Sequence, residues 1–424
     1  MISLKKFFKI LGPGIVTGAS DDDPSGIATY AQSGAQFGYS QLWTAFYMLP
    51  IQTAVQEACA KIGAVTGKGI ATVIKEHYSH KVLLGVVMFF IIANIVNIGV
   101  DIGAMADATR LVIPLNYAIL IFLFTAIILS LEIFISYRTY AKILKFLVLA
   151  LLAYPVTVFI VREPWQQILA ATFIPHIEFS FQFLLIITGV FGTTFSPYMF
   201  FWQASQEVEE EKLHHLLPAK GKLKINPSFI RNLKIDNVLG MFGSQMGTWM
   251  IIVTGATVLY SHGITNINSA ADAAKAIEPI VRSFPNSGYL AKAIFATGIV
   301  GLGLLSIPIM AGSSAYAFAE TFGWKEGLYR KLRRAHGFYG IITIATILGL
   351  AINFIGINPI KAQIYTSVLV GVAAVPVLFL IALIGKNKKI MGDYKINHAY
   401  FVIILITCLA MLGSVLGMAA SLLH

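Results

Sequence analysis

Apolar and polar positions alternate along this chain on a long scale. Eleven stretches of about 20 mostly apolar residues, each long enough to cross a hydrocarbon layer, are separated by short segments rich in Lys, Arg, Gly and Pro. The pattern predicts helices near 12–37, 41–65, 82–108, 115–136, 143–161, 181–204, 238–260, 288–319, 338–354, 360–384 and 399–423. Composition agrees: at 57% hydrophobic and 12% charged, 424 residues carry too little polar surface to cover a water-soluble globule. The expectation is one all-α integral membrane domain over residues 1–424, with helices 1–5 over about 12–161, helices 6–10 over about 181–384 and helix 11 over about 399–423.

Two of these helices are interrupted. Helix 1 contains Ser20-Asp21-Asp22-Asp23-Pro24-Ser25-Gly26, and helix 6 contains Gly192-Thr193-Thr194-Phe195-Ser196-Pro197. Pro24 and Pro197 remove a backbone donor and clash with the preceding turn, so each run can unwind its helix and free carbonyl oxygens. Hydrocarbon offers such groups no partners, and breaks at that depth persist only where they line a protein-enclosed cavity or bind something. The breaks fall in the first helix of each of two five-helix halves, with one helix left over, which is the spacing of an inverted-repeat transporter whose site lies between broken helices at the midplane.

The net charge of +11 raises nucleic acid as a partner, and the placement of the basic residues removes it. With the N-terminus on the cytoplasmic side, 25 of the 31 Lys and Arg residues fall on that side, the bias of the positive-inside rule, and eleven helices put the C-terminus outside. The partners expected are a lipid bilayer and a transported ion, the chain acting as a monomer and not as an enzyme. The apolar segment after Lys5 and Lys6 runs into Gly12-Pro13-Gly14 and lacks a small-residue cleavage site, so it reads as retained. Cys59 and Cys408 lie in different helices and read as packing residues. The longest polar insert, 205–236, reads as a cytoplasmic connection, and its cluster Glu207, Glu209, Glu210 and Glu211 reads first as a solvated charged face, second as a cation-gathering inner mouth. All nine histidines sit in loops or near helix ends, so no imidazole relay crosses the membrane.

Ionised side chains near mid-membrane must be paired, hydrated or bound to a cation. Asp23, beside the break, is the first choice of ligand. A carboxylate with freed carbonyls and hydroxyls makes an all-oxygen environment suited to a hard cation. Asp22 is expected to reach the same cavity, and Asp21 to cap a helix end or face a vestibule. Across the cavity the candidates are the Thr193 carbonyl, Ser196 and the Tyr198 hydroxyl; Met199 reads as packing. Asn94, Asn97 and Asp101 share a stripe of helix 3 that lines a water path or makes interhelical hydrogen bonds. Glu57, near Gln52 and Gln56 on helix 2, is expected to close a salt bridge or gate the cytoplasmic exit.

Gly12-Pro13-Gly14 followed by Asp23-Pro24-Ser25-Gly26 resembles the first helix of the NRAMP divalent-metal transporters. Further matches are the run from Gln56 to Lys68, the helix 6 break, and Met391-Gly392-Asp393-Tyr394. The resemblance implies a LeuT-like fold. Standard members carry Asp-Pro-Gly-Asn in helix 1 and Met-Pro-His in helix 6; here the aspartate is kept as Asp23, while Gly26, Ser196 and Tyr198 stand at the amide, thioether and histidine positions, and the carbonyl ligand maps to Thr193. A thioether favours transition metals, so its replacement removes one basis for rejecting magnesium or calcium. The pattern looks most like the NRAMP-related magnesium transporters, which implies carriage of magnesium and manganese, as partly hydrated ions, with little proton coupling. The Asp and Glu of proton-coupled members align with Asn97 and Val100, and Asp101 is expected to face elsewhere. No cofactor is expected beyond the transported ion. The rival expectations are a proton-coupled manganese or iron importer, and a sodium-coupled carrier of an organic solute on the same fold.

Overall fold

A computed structural model describes residues 12–134, 153–160, 164–213, 227–330 and 332–421. Among them every regular element is helical. In chain order these are α1 (Pro13–Asp21), α2 (Pro24–Phe37), α3 (Trp43–Thr66), α4 (Ile70–His77), α5 (His80–Arg110), α6 (Tyr117–Phe134), α7 (Ala153–Ile160), α8 (Trp165–Phe173), α9 (Phe181–Thr194), α10 (Pro197–Leu213), α11 (Pro227–Thr254), α12 (Ala270–Lys275), α13 (Glu278–Val281), α14 (Ser287–Phe322), α15 (His336–Ile352), α16 (Pro359–Lys386), α17 (Lys388–Met391) and α18 (His398–Ser421). Most of the predicted helix at 143–161 lies outside the described residues.

Both breaks form where the prolines require them. Pro24 has no N–H to continue α1, and Asp23 adopts the extended geometry of an N-cap (φ −64°, ψ 167°), so a new helix starts at Pro24. In the second half Phe195 leaves the helix (φ −108°, ψ 39°), and Pro197 opens α10. The fold is LeuT-like: α1 with α2, and α9 with α10, are the broken first members of the two halves. Long apolar helices α5, α6, α14, α16 and α18 each satisfy the length and hydropathy of a membrane span, as does α9 with α10. Helices α3 and α11 fall short because they carry Gln52, Gln56 and Glu57, and Ser244 and Gln245, which serve the interior rather than lipid.

Close backbone approach holds the broken helices in place. A Cβ on Gly18 of α1 would lie 2.3 Å from the Gly240 carbonyl oxygen of α11, and one on Gly192 of α9 would lie 1.9 Å from the Ser367 carbonyl oxygen of α16. In lipid, where burial from water no longer drives helices together, such glycine crossings gain dispersion contact instead.

The described parts of the polar insert are helical, and the expectation that needs correcting is that of a solvated glutamate face. α10 continues to Leu213 and α11 begins at Pro227, leaving 214–226 outside the described residues. Glu207, Glu209 and Glu211 are buried, not solvated. Their partners explain it: Glu207 accepts from Gln203 Nε2 (2.9 Å), and Glu209 accepts from the Leu328 N–H (2.7 Å) and the Tyr316 hydroxyl. At the same end, Glu320 accepts from the Thr72 N–H (3.0 Å) and Ser205 (3.1 Å). In the loop after α14, burial pushes the Glu326 carboxyl up to about 9.

Candidate metal site

The two breaks are tied to each other by the groups they free. The Tyr198 hydroxyl at the start of α10 donates to the Ser20 carbonyl at the end of α1 (2.7 Å). Gln52 of α3 donates from one Nε2 to Asp21 Oδ2 (2.7 Å) and to the Thr194 carbonyl (3.1 Å), and accepts from Gln245 Nε2 of α11 (2.9 Å). Thr193 donates to the Tyr30 hydroxyl of α2 (2.8 Å), and Ser196 turns back on its own break to donate to the Gly192 (3.0 Å) and Thr193 (2.8 Å) carbonyls. An unwound backbone at this depth is therefore largely satisfied by side chains, as a buried break requires.

Asp23 lies between the two halves of its helix and is 1% exposed. Its Oδ1 accepts from the Ser25 hydroxyl (2.7 Å) and the Gly26 N–H (2.7 Å), and its Oδ2 accepts from Asn97 Nδ2 of α5 (3.0 Å). Gly26 thus serves the carboxylate through its N–H. Asp21 is held by Gln52 and the Ser244 hydroxyl. The structure does not bring Asp22 to the Asn97 side: it lines a separate cavity of about 520 Å³ with Gly18, Tyr154, Gly243, Ser244 and Gly247, between α1, α7 and α11. Among the described residues, none of these aspartates pairs with a basic side chain, and no three His, Cys, Asp or Glu side chains converge as a metal-binding group.

On α5 the stripe divides. Asn94 and Asn97 make interhelical hydrogen bonds, Asn94 to the Met310 carbonyl (2.6 Å) and Ser314 (2.7 Å) of α14, and Asn97 to Asp23. Asp101 does not face elsewhere: it is fully buried, and its electrostatic neighbours are Asp23, the Ser25 backbone and Ser306. One turn of α14 beyond Ser306 lies Met310, whose sulfur is 3.5 Å from Asn97 Nδ2. Sequence reading missed both α14 residues because neither sits beside a break; the signal available was Pro308 between them, in mid-helix. Glu57, expected to bridge to a neighbouring helix, makes its short ion pair with Lys61 of its own helix (2.6 Å), while across helices it lies 3.9 Å from Lys234 of α11 and accepts from the Tyr400 hydroxyl (3.0 Å). Cys59 and Cys408 are free and buried, as packing residues.

Two discontinuous helices that meet in the interior of a helical membrane fold are the arrangement of LeuT-fold transporters. Residues 14–421 match the Nramp family, described as natural resistance-associated macrophage protein-like, and the chain belongs to it. It is similar to proteins named divalent metal cation transporter MntH, 24% identical over 410 residues in Caldanaerobacter subterraneus (93% of this chain, 88% of that one) and 24% over 415 residues in Listeria monocytogenes (94% and 86%). Among solved structures it resembles the Eremococcus coleocola manganese transporter, at a TM-score of 0.75 with 16% identity, covering 98% of this chain and 87% of that one. The nucleobase-cation-symport transporter Mhp1 in a closed conformation shares the fold at a TM-score of 0.58 and 13% identity, covering 97% and 93%.

Proposed function

We propose that this protein imports a divalent cation, magnesium and manganese, by alternating access. One observation carries the reading: Asp23 is buried at the meeting of two helix breaks with hydrogen-bond donors around it and no basic partner. A permanently unpaired carboxylate in that position is expensive, and a visiting dication offsets the cost. Thr193, Ser196 and Tyr198 supply neutral oxygens on the opposite break, a hard set suited to an ion that keeps part of its water. With the N-terminus in the cytoplasm, membrane potential favours entry: two charges crossing 100 mV gain roughly 4–5 kcal/mol. The Asn97 amide at the position of the proton-coupled members' aspartate supports uptake with little proton movement. Met310 favours keeping manganese among the cargo, since a thioether attracts transition metals more than magnesium. An anionic organic solute fits poorly beside carboxylates with no cation.

Uptake into proteoliposomes tests this, with magnesium, manganese and calcium compared for the wild type and Asp23→Ala while internal pH is recorded. The expected result is magnesium and manganese entry, loss of both by more than about 100-fold in the variant, on the scale of several kcal/mol for an intramembrane charge, and little acidification. Strong acidification with manganese and no magnesium entry would replace this reading with proton-coupled manganese import.

A further inference from the structure

Asp23 has little coordination capacity left. A carboxylate offers about four lone-pair sites, and three are occupied, by Ser25, Gly26 and Asn97. Directly beside it lies a group of oxygens in the opposite condition. Both Asp101 carboxylate oxygens, the Ser306 hydroxyl and the Asn97 Oδ1 are buried without a hydrogen-bond partner, on residues at most 1% exposed. They come from two different helices, α5 and α14; the Ser306 hydroxyl and the Ser25 backbone lie close enough to Asp101 to favour its charge, although neither makes a well-formed hydrogen bond to it, and Asp23 repels it. Buried polar groups are normally satisfied, so four buried oxygens without well-formed hydrogen bonds, on residues packed around Asp23, require an explanation.

The group is not confined to one side chain: three residues on two helices contribute it. Glu132 of α6 makes the contrast: both its oxygens are also unpartnered, but the ionisable neighbour set against it is the Tyr339 hydroxyl of α15 and not a second carboxylate. Asp101, by comparison, sits in a ready-made shell of hard oxygens.

We infer that Asp101, Ser306 and the Asn97 carbonyl oxygen form a second cation subsite, continuous with Asp23, so that the transported dication is held between two carboxylates rather than one. The inference rests on the reading of Asp23 as the ion-binding residue. Its chemistry is all-oxygen: one carboxylate, one hydroxyl and one amide oxygen, with room in the ion's shell for Asp23 and for retained water. The charge count supports it. One carboxylate leaves a dication with a net positive charge in a desolvated site, whereas Asp23 and Asp101 together neutralise it. The subsite also gives Asn97 a double role, its Nδ2 orienting Asp23 and its Oδ1 facing the ion.

Binding of manganese and magnesium to the purified full-length protein, measured by calorimetry and by the electron paramagnetic resonance of manganese, tests the inference alongside proteoliposome uptake. Asp101→Asn is expected to weaken manganese and magnesium binding by about tenfold or more, because ion affinity follows the number of ligand charges. Ser306→Ala is expected to weaken it by about threefold, and Asp101→Glu to restore part of the loss. Monodispersity and metal-free thermal stability separate a binding defect from misfolding; if Asp101→Asn does not fold, Ser306→Ala and Asp101→Glu carry the test. Wild-type affinity and KM in these variants, with Asp23→Ala inactive, would overturn the second subsite alone. Normal uptake by Asp23→Ala would instead remove the reading on which it rests.

Discussion

Two groups of buried acids in this protein have the same chemistry and opposite surroundings. At the end of the molecule where α1 begins, the carboxylates are spoken for: Asp236 of α11 accepts from the N–H groups of Gly12 (2.8 Å), Gly14 (2.6 Å) and Ile15 (3.4 Å), capping α1 from outside its own sequence. Glu209, Glu320 and Glu57 have comparable partners, although Glu211 and Glu326 each keep one free oxygen. Deep in the interior, neither Asp101 oxygen has a well-formed hydrogen bond. A satisfied buried carboxylate reports on architecture, because its donors would be orphaned without it. An unsatisfied one, set among other unsatisfied oxygens, reports on something that comes and goes.

The largest expected effect tests that difference by its sign. Asp236→Ala removes the acceptor of three backbone donors and should destabilise the protein by about 2–4 kcal/mol, the cost of orphaned groups that had bonded to a charge. Asp101→Asn removes a buried charge with no partner, so metal-free stability should stay the same or rise. Thermal unfolding of both variants in detergent, without divalent ions, measures the pair. Equal losses in the two would dissolve the distinction between the regions.

Gln52 gives a smaller effect within the site itself. Gln52→Leu leaves Asp21 Oδ2 and the Thr194 carbonyl without this donor and takes an acceptor from Gln245. The expected cost is about 1–3 kcal/mol, with metal uptake falling although no proposed ligand has changed. Unchanged stability and uptake would show that the breaks do not depend on this cross-link.

The fold was more legible in the sequence than the site. Prolines in apolar runs mark both breaks, and the length of the apolar runs marks the long helices, because bilayer thickness and missing backbone donors act locally. The Ser205 to Asp236 region was misread for the opposite reason: a glutamate run looks solvated until Tyr316 and the Leu328 N–H, more than a hundred residues away, are seen beside it. Asp101 shows the same limit. Its position one residue past the aligned Val100 suggested another direction, and only the approach of Ser306 on α14 shows that it belongs with Asp23. Neighbours between distant helices are set by packing, which no short motif records.

Met310 offers the smallest effect, because it sits where the two kinds of ligand chemistry meet. Its sulfur accepts from Asn97 Nδ2 at 3.5 Å, the same nitrogen that donates to Asp23 at 3.0 Å. The helix 6 break has Ser196 where a thioether would bias the site toward transition metals, while α14 places a sulfur beside Asp23's amide partner. Met310→Leu keeps the volume, and a swap of this kind usually costs less than about 1.5 kcal/mol. If the sulfur contributes to ion choice, the variant should weaken manganese uptake relative to magnesium by about threefold, the direction expected when a soft donor is removed from a hard set. Competition between the two ions in proteoliposomes reads that ratio directly. A parallel loss for both ions would make Met310 a packing residue that steadies Asn97, and the orphan oxygens alone would then set the preference.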